Sequence, residues 1–111
     1  MPCYVVHAST QELIPDPLDA DQVVSGNPQV SAYELLDTEA LAVGIWQHTA
    51  GVSTDVEVDE IFVVLSGRAT IAVADGPTLE VGPGDVGVLE AGAETTWTVH
   101  EDLRKIYIIG G

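Results

Sequence analysis

The stretch Val81-Gly82-Pro83-Gly84-Asp85-Val86-Gly87-Val88-Leu89-Glu90-Ala91-Gly92 decides how this chain folds. Proline at 83 presets one backbone dihedral and glycine at 84 accepts a positive one, so Pro83-Gly84-Asp85 predicts a tight turn. Val86–Leu89 follows as a short strand with one face in and one face out, and Ala91-Gly92 marks the next turn. Working outward, the same alternation of β-branched runs and punctuation recurs. It predicts strands at Tyr4–His7, Ser31–Leu35, Leu41–Thr49, Ile61–Leu65, Ala69–Ala74, Thr78–Val81, Val86–Leu89, Thr95–Val99 and Arg104–Ile109. Turn signals sit between them at Ala50-Gly51, Ser66-Gly67, Asp75-Gly76-Pro77 and Ala91-Gly92. Evenly spaced short strands describe an all-β sandwich or small barrel.

A second stretch, Glu60-Ile61-Phe62-Val63-Val64-Leu65-Ser66-Gly67, puts an acid seven residues before a glycine. Together the two stretches resemble the paired motifs of the cupin superfamily. Gly44-Ile45-Trp46, Val64–Arg68, Thr96–Val99 and Leu103–Tyr107 are similar to one branch of it, the ureidoglycine aminohydrolase-like cupins, and Ser25-Gly26-Asn27-Pro28 looks like that branch's approach segment. The resemblance implies a single cupin domain over 1–111, a jelly-roll barrel over 31–111 with residues 1–30 as an N-terminal strand and arm. It also implies a homodimer.

Composition narrows the partners. The chain has 18 Asp and Glu against 3 Lys and Arg, a formal charge of −15. Residues 1–67 contain no Lys or Arg. Nucleic acid and anionic membrane surfaces both require a basic footprint, so neither is expected as a partner. Apolar residues make up 46% of the chain, too many for a disordered acidic segment. No apolar run approaches the roughly 20 residues of a membrane span. A lone Cys3 and the absence of a signal-like N-terminus lead to a cytoplasmic expectation.

Many cupins hold a divalent metal with two histidines, a glutamate and a third histidine. The resemblance places the glutamate at Glu60. It places the histidine pair at Thr54 and Val56, or at Ser53 and Asp55 with a longer spacing, and the third histidine at Thr95. None of these is a histidine. A transition metal needs three or four converging imidazole, thiolate or carboxylate donors. No cofactor is therefore expected; the alternative is a weakly held hard cation on Asp55 and Glu60.

The candidate pocket gathers Trp46, Asp55, Glu60, Thr95 and Trp97. Glu60 is either a buried acid or base with a raised pKa or a structural carboxylate at the barrel mouth. His48 shares a strand face with Trp46 and is the second candidate for catalysis, the alternative being a surface or partner contact. The tryptophans either wall a ligand site or pack the core. Asp55, Glu57 and Asp59 read as one solvated edge that blocks strand addition. Arg68, Arg104 and Lys105 read as salt-bridge partners that offset some of this acid, each worth little if exposed. Two functions follow. One is a small-molecule-binding cupin without the usual metal. The other is an enzyme acting on a small nitrogenous or sugar-like metabolite with Glu60 as acid or base.

Overall fold

In the computed structural model, which describes residues 3–110, the chain is built of strands and a single 3-10 turn. The strands are β1 (Ile14–Pro15), β2 (Val23–Ser25), β3 (Val30–Asp37), β4 (Leu41–His48), β5 (Gly51–Val56), β6 (Glu60–Val73), β7 (Thr78–Val81), β8 (Val86–Leu89) and β9 (Glu94–Gly110). The turn, Ala20–Gln22, leads into β2. The all-β expectation is met.

Two long strands organise everything else. β6 and β9 run antiparallel along nearly their whole length. The other edge of β9 pairs β4 through Leu103–Gly110 and β5 through Glu94–Val99. The other edge of β6 pairs β8 near Glu60–Val63 and β7 near Ala69–Ala72. β3 and then β1 extend the sheet beyond β4, and β2 extends it beyond β5. The sheet therefore has two halves joined through β6 and β9. They curl over a common core, because Phe62, Val64, Leu89 and Leu103 of one half share a buried cluster with Ala69, Ile71, Trp97 and Val99 of the other.

The curl originates at mid-strand bulges. Register against β9 shifts between Val64 and Ser66, again before Arg68, and again before Ala69. A bulge inserts an unpaired residue and bends the strand. Its effect on β6 is visible in side-chain parity. Phe62 and Val64 point inward before the bend, and Ala69 and Ile71 after it. Gly67 sits at the bend with φ +87°, and a Cβ there would lie 2.1 Å from the Asp102 carbonyl oxygen.

Several expectations are corrected. Ile61–Leu65 and Ala69–Ala74 are two parts of β6, and Thr95–Val99 and Arg104–Ile109 two parts of β9. Ser66-Gly67 bends a strand instead of separating two. β5 was not foreseen, because Ser53, Thr54 and Asp55 interrupt its apolar alternation. Tyr4–His7 forms no strand; Tyr4 instead donates its hydroxyl proton to the Leu35 carbonyl. Arg104 is not a surface ion-pair partner. Its Nη1 donates to the carbonyls of Ala8 and Gln11 at 2.8 and 2.9 Å, strapping the N-terminal arm to the outer face of β9. Arg68 does make an exposed pair, with Glu101 at 2.8 Å.

The bend yields a paired prediction. Gly67 and Gly92 share φ +87°, but nothing lies within 4 Å of a Cβ at Gly92. Gly92→Ala is expected to cost about 1–2 kcal/mol, the strain of the left-handed conformation alone. Gly67→Ala adds a backbone clash and is expected to cost at least twice as much. Urea unfolding of both variants checks the ratio.

Candidate functional site

The site lies where β4, β6 and β9 pair. Alternation along β9 sends Thr95, Trp97, Leu103, Lys105 and Tyr107 to the inner face. Register sets Trp46 of β4 beside Lys105 and Phe62 of β6 beside Tyr107. Glu60 opens β6 on the same inner face. The result is a cavity of about 240 Å³. Trp46, Trp97, Glu60 and Lys105 form its inner wall, and Asp16, Leu18 and Gln22 of the N-terminal arm contribute to its lining.

Lys105 is the central group, and it is only 4% exposed. Removing an ammonium from water costs several kcal/mol unless partners replace the hydration. Here the partners are one carboxylate and three aromatic rings. Nζ donates to Glu60 Oε2 at 2.6 Å. It also lies 4.5 Å from the ring centroid of Trp46 and 4.7 Å from those of Phe62 and Trp97. Aromatic faces carry negative quadrupolar charge and attract a desolvated cation. The rings support one another, with Trp46 and Trp97 edge to face at 5.6 Å. Lys105 is thus a salt-bridge partner, as composition suggests, but a buried one.

Glu57 is the second correction. It does not join Asp55 and Asp59 on a solvated edge; it is 7% exposed. β5 ends at Val56, so strand alternation no longer governs the next residue. Backbone bonds from Glu57 to Ala93 and from Gly92 to Glu57, at 2.8 and 2.9 Å, fix this turn. The carboxylate receives Thr95 Oγ1 at 2.6 Å and Trp97 Nε1 at 3.0 Å. Donors of this kind make a buried carboxylate tolerable.

The remaining candidates fall into place around these two. Asp55 lies on the cavity lining, and lost hydration together with the neighbouring Glu57 charge raises its pKa. Thr95 does not line the cavity; it holds Glu57 and contacts Trp97 Nε1 at 3.2 Å. His48 is fully buried next to Trp46, with ring centroids 5.4 Å apart. Its Nε2 meets Ser53 Oγ at 2.8 Å and its Nδ1 meets the Thr49 carbonyl at 2.7 Å. Burial lowers its pKa, and the cavity lining does not include it. His48 thus stands behind the wall, with both ring nitrogens engaged. Tyr107 lines the cavity, where lost hydration and then Glu34 and Glu60 raise its phenol pKa.

These donors do not fit a transition metal. Of the positions the cupin pattern supplies, Glu60 already holds the Lys105 ammonium, and Thr95 is spent on Glu57. Among the described residues, no three His, Cys, Asp or Glu side chains gather in a metal-holding group.

A curled sheet of this topology around a small cavity is a cupin-fold domain. More narrowly, the EutQ-like cupin domain family matches residues 35–107, and the chain belongs to that family. No curated protein matches the sequence. Solved structures extend the likeness in fold. The Clostridium difficile EutQ protein is 20% identical with a TM-score of 0.73, over 96% of this chain and 85% of that one. A Pseudomonas syringae pv. tomato protein of unknown function is 28% identical with a TM-score of 0.80. It matches 90% of this chain, which spans only 45% of the Pseudomonas protein. Ectoine synthase from P. lautus is 17% identical with a TM-score of 0.70, over 97% of this chain and 78% of the enzyme.

The ion pair yields a stability prediction. Lys105→Met leaves the Glu60 side chain, only 9% exposed, without its cation, and is expected to cost about 3–5 kcal/mol. Adding Glu60→Gln to Lys105→Met is expected to recover at least half of that loss. Denaturant unfolding of both single variants and the double variant measures the coupling.

Proposed function

We propose that the protein is a small-molecule-binding cupin that works without the usual cupin metal. One observation carries this reading: the cavity holds a tethered cation, Lys105, against the one cupin ligand position that keeps its residue, Glu60. Around that pair the cavity combines aromatic walls with a few converging polar groups, the usual composition of a small-molecule site. Its volume of about 240 Å³ falls below the roughly 300–1,000 Å³ typical of drug-sized ligands. A metabolite of few heavy atoms fits that size. In framework, the motifs quoted above support a place in the ureidoglycine aminohydrolase-like branch, but the donor set does not support that branch's metal chemistry. A cytoplasmic location, with neither nucleic acid nor membrane as partner, completes the reading. Among the described residues no helix is long and apolar enough to cross a membrane.

Thermal melting against a metabolite panel and against Mn, Fe, Ni and Zn salts tests the proposal. An organic compound is expected to raise the melting temperature by mass action, and the metals are not. Near-stoichiometric metal in protein purified without added metal, or no stabilisation by any metabolite, overturns it.

A second reading is favoured by the 2.6 Å contact between Glu60 and Lys105 at the cavity wall, which places an acid and a base side by side. In it Glu60 moves a proton on a small nitrogenous or sugar-like substrate. Glu60→Gln is then expected to abolish turnover while ligand binding persists.

The homodimer is also a proposal. Ile61, Val86 and Val88 are 46%, 62% and 71% exposed on neighbouring positions of β6 and β8. Two copies with a charge of −15 each repel, and an apolar patch such as this one is where burial can offset that repulsion. Light scattering is expected to give a dimer for the native chain and a monomer for Val88→Asp.

A further inference from the structure

We propose that the ligand of this cavity is a small organic cation of the alkylammonium class, its charge held by Glu57 and its apolar part against Trp97 and Trp46. The inference rests on the cavity's being a ligand site, and adds the charge of the occupant.

The cavity wall carries four carboxylates, Asp16, Asp55, Glu57 and Glu60, and one cation, Lys105. Lys105 and Glu60 neutralise each other at 2.6 Å. Asp16, Asp55 and Glu57 have no cation of their own in the wall. Glu57 is the most constrained of the three. Both of its side-chain donors, Thr95 Oγ1 and Trp97 Nε1, meet the same oxygen, Oε2. Oε1 receives no hydrogen bond from any described side chain or backbone group. Among the described residues every fully buried polar side-chain atom has a partner. Oε1 therefore keeps some solvent exposure in a residue that is only 7% exposed, and Glu57 lines this cavity.

Each class of occupant meets that oxygen differently. An anion adds a charge beside Asp16, Asp55 and Glu57, none of which has an ion-pair partner in the wall, and is repelled. A neutral apolar molecule strips water from Oε1 and returns nothing, which costs the full desolvation of a charged acceptor. A cation pairs with it. The walls suit the same charge, because the rings of Trp46 and Trp97 already stabilise one ammonium, that of Lys105. Lys105 does not repel a second cation as a bare charge would, since Glu60 lies against it.

The test uses three molecules of one shape and different charge: choline, its neutral carbon analogue 3,3-dimethyl-1-butanol, and the anion 3,3-dimethylbutyrate. The chain's two tryptophans are Trp46 and Trp97, both on the cavity wall, so intrinsic fluorescence of the full chain reports occupancy directly. At matched ionic strength, choline alone is expected to change the emission saturably. Glu57→Gln, which keeps size and loses charge, is expected to weaken choline binding at least tenfold. Asp55→Asn, on the exposed part of the lining, is expected to weaken it about threefold and serves if the first variant does not fold. Binding of the neutral or anionic analogue as tightly as choline overturns the cationic class and leaves the binding-site reading intact. No response to any of the three also overturns it. The site itself then stands or falls by the metabolite panel.

Discussion

A buried ammonium sets the terms for the rest of this molecule. Lys105 cannot be dehydrated without a counter-charge and polarisable neighbours, and no single strand can supply both. Glu60 comes from the start of β6, Trp46 from β4, Phe62 from β6, and Trp97 from the other half of β9. All four meet Nζ only if β4, β9 and β6 hold one register. A slip of one residue turns every inward side chain outward, and here it would also leave an unpaired charge in the core. The bend is equally constrained. Trp97 and Lys105 lie on one strand, eight residues apart, and both reach the same cage. The curl at the Val64–Ala69 bulges folds one half of the sheet onto the other, as the shared core cluster shows.

Much of the fold was legible because it is written in local terms. Pro83-Gly84-Asp85 makes its turn by backbone preference, and Val86–Leu89 alternates as a half-buried strand must. What escaped was continuity. The polar stretch His100-Glu101-Asp102 looks like a loop between two strands, whereas pairing with β6 runs through it with shifted register. Treating it as a loop discards parity, and parity was the signal that could have found the central residue. Thr95, Trp97, Val99, Leu103 and Lys105 are all odd-numbered, so a single continuous strand puts Lys105 on the same face as Trp97. Composition argued the other way, since a lysine among 18 acids reads most simply as surface compensation.

Glu57 escaped for the opposite reason. Alternation read through Asp55, Glu57 and Asp59 runs past the end of the strand, which stops at Val56. The turn that follows is held by backbone bonds to Ala93 and Gly92, partners some 35 residues away that no local pattern announces. Trp46, Asp55, Glu60 and Trp97 were legible as a group because each occupies a motif or a motif-matched strand position. The structure brings these four onto one cavity wall, with Thr95 and His48 just behind it.

The two buried carboxylates are stabilised in different ways, and the difference gives the cavity its character. Glu60 is balanced by a full positive charge, so the pair contributes little field at a distance. Glu57 is held by a hydroxyl and an indole N–H, which lower the cost of burial but cancel no charge. The cavity lining therefore carries three carboxylates, Asp16, Asp55 and Glu57, beyond its one ion pair. A divalent ion approaching Glu60 would have to displace the lysine ammonium or share a carboxylate with it, two positive centres in a space with little water to screen them. A small monovalent cation settling by Glu57 meets no such competition. On the proposed cation-binding reading, tethering Lys105 beside Glu60 leaves Glu57 as the charged group a ligand would meet.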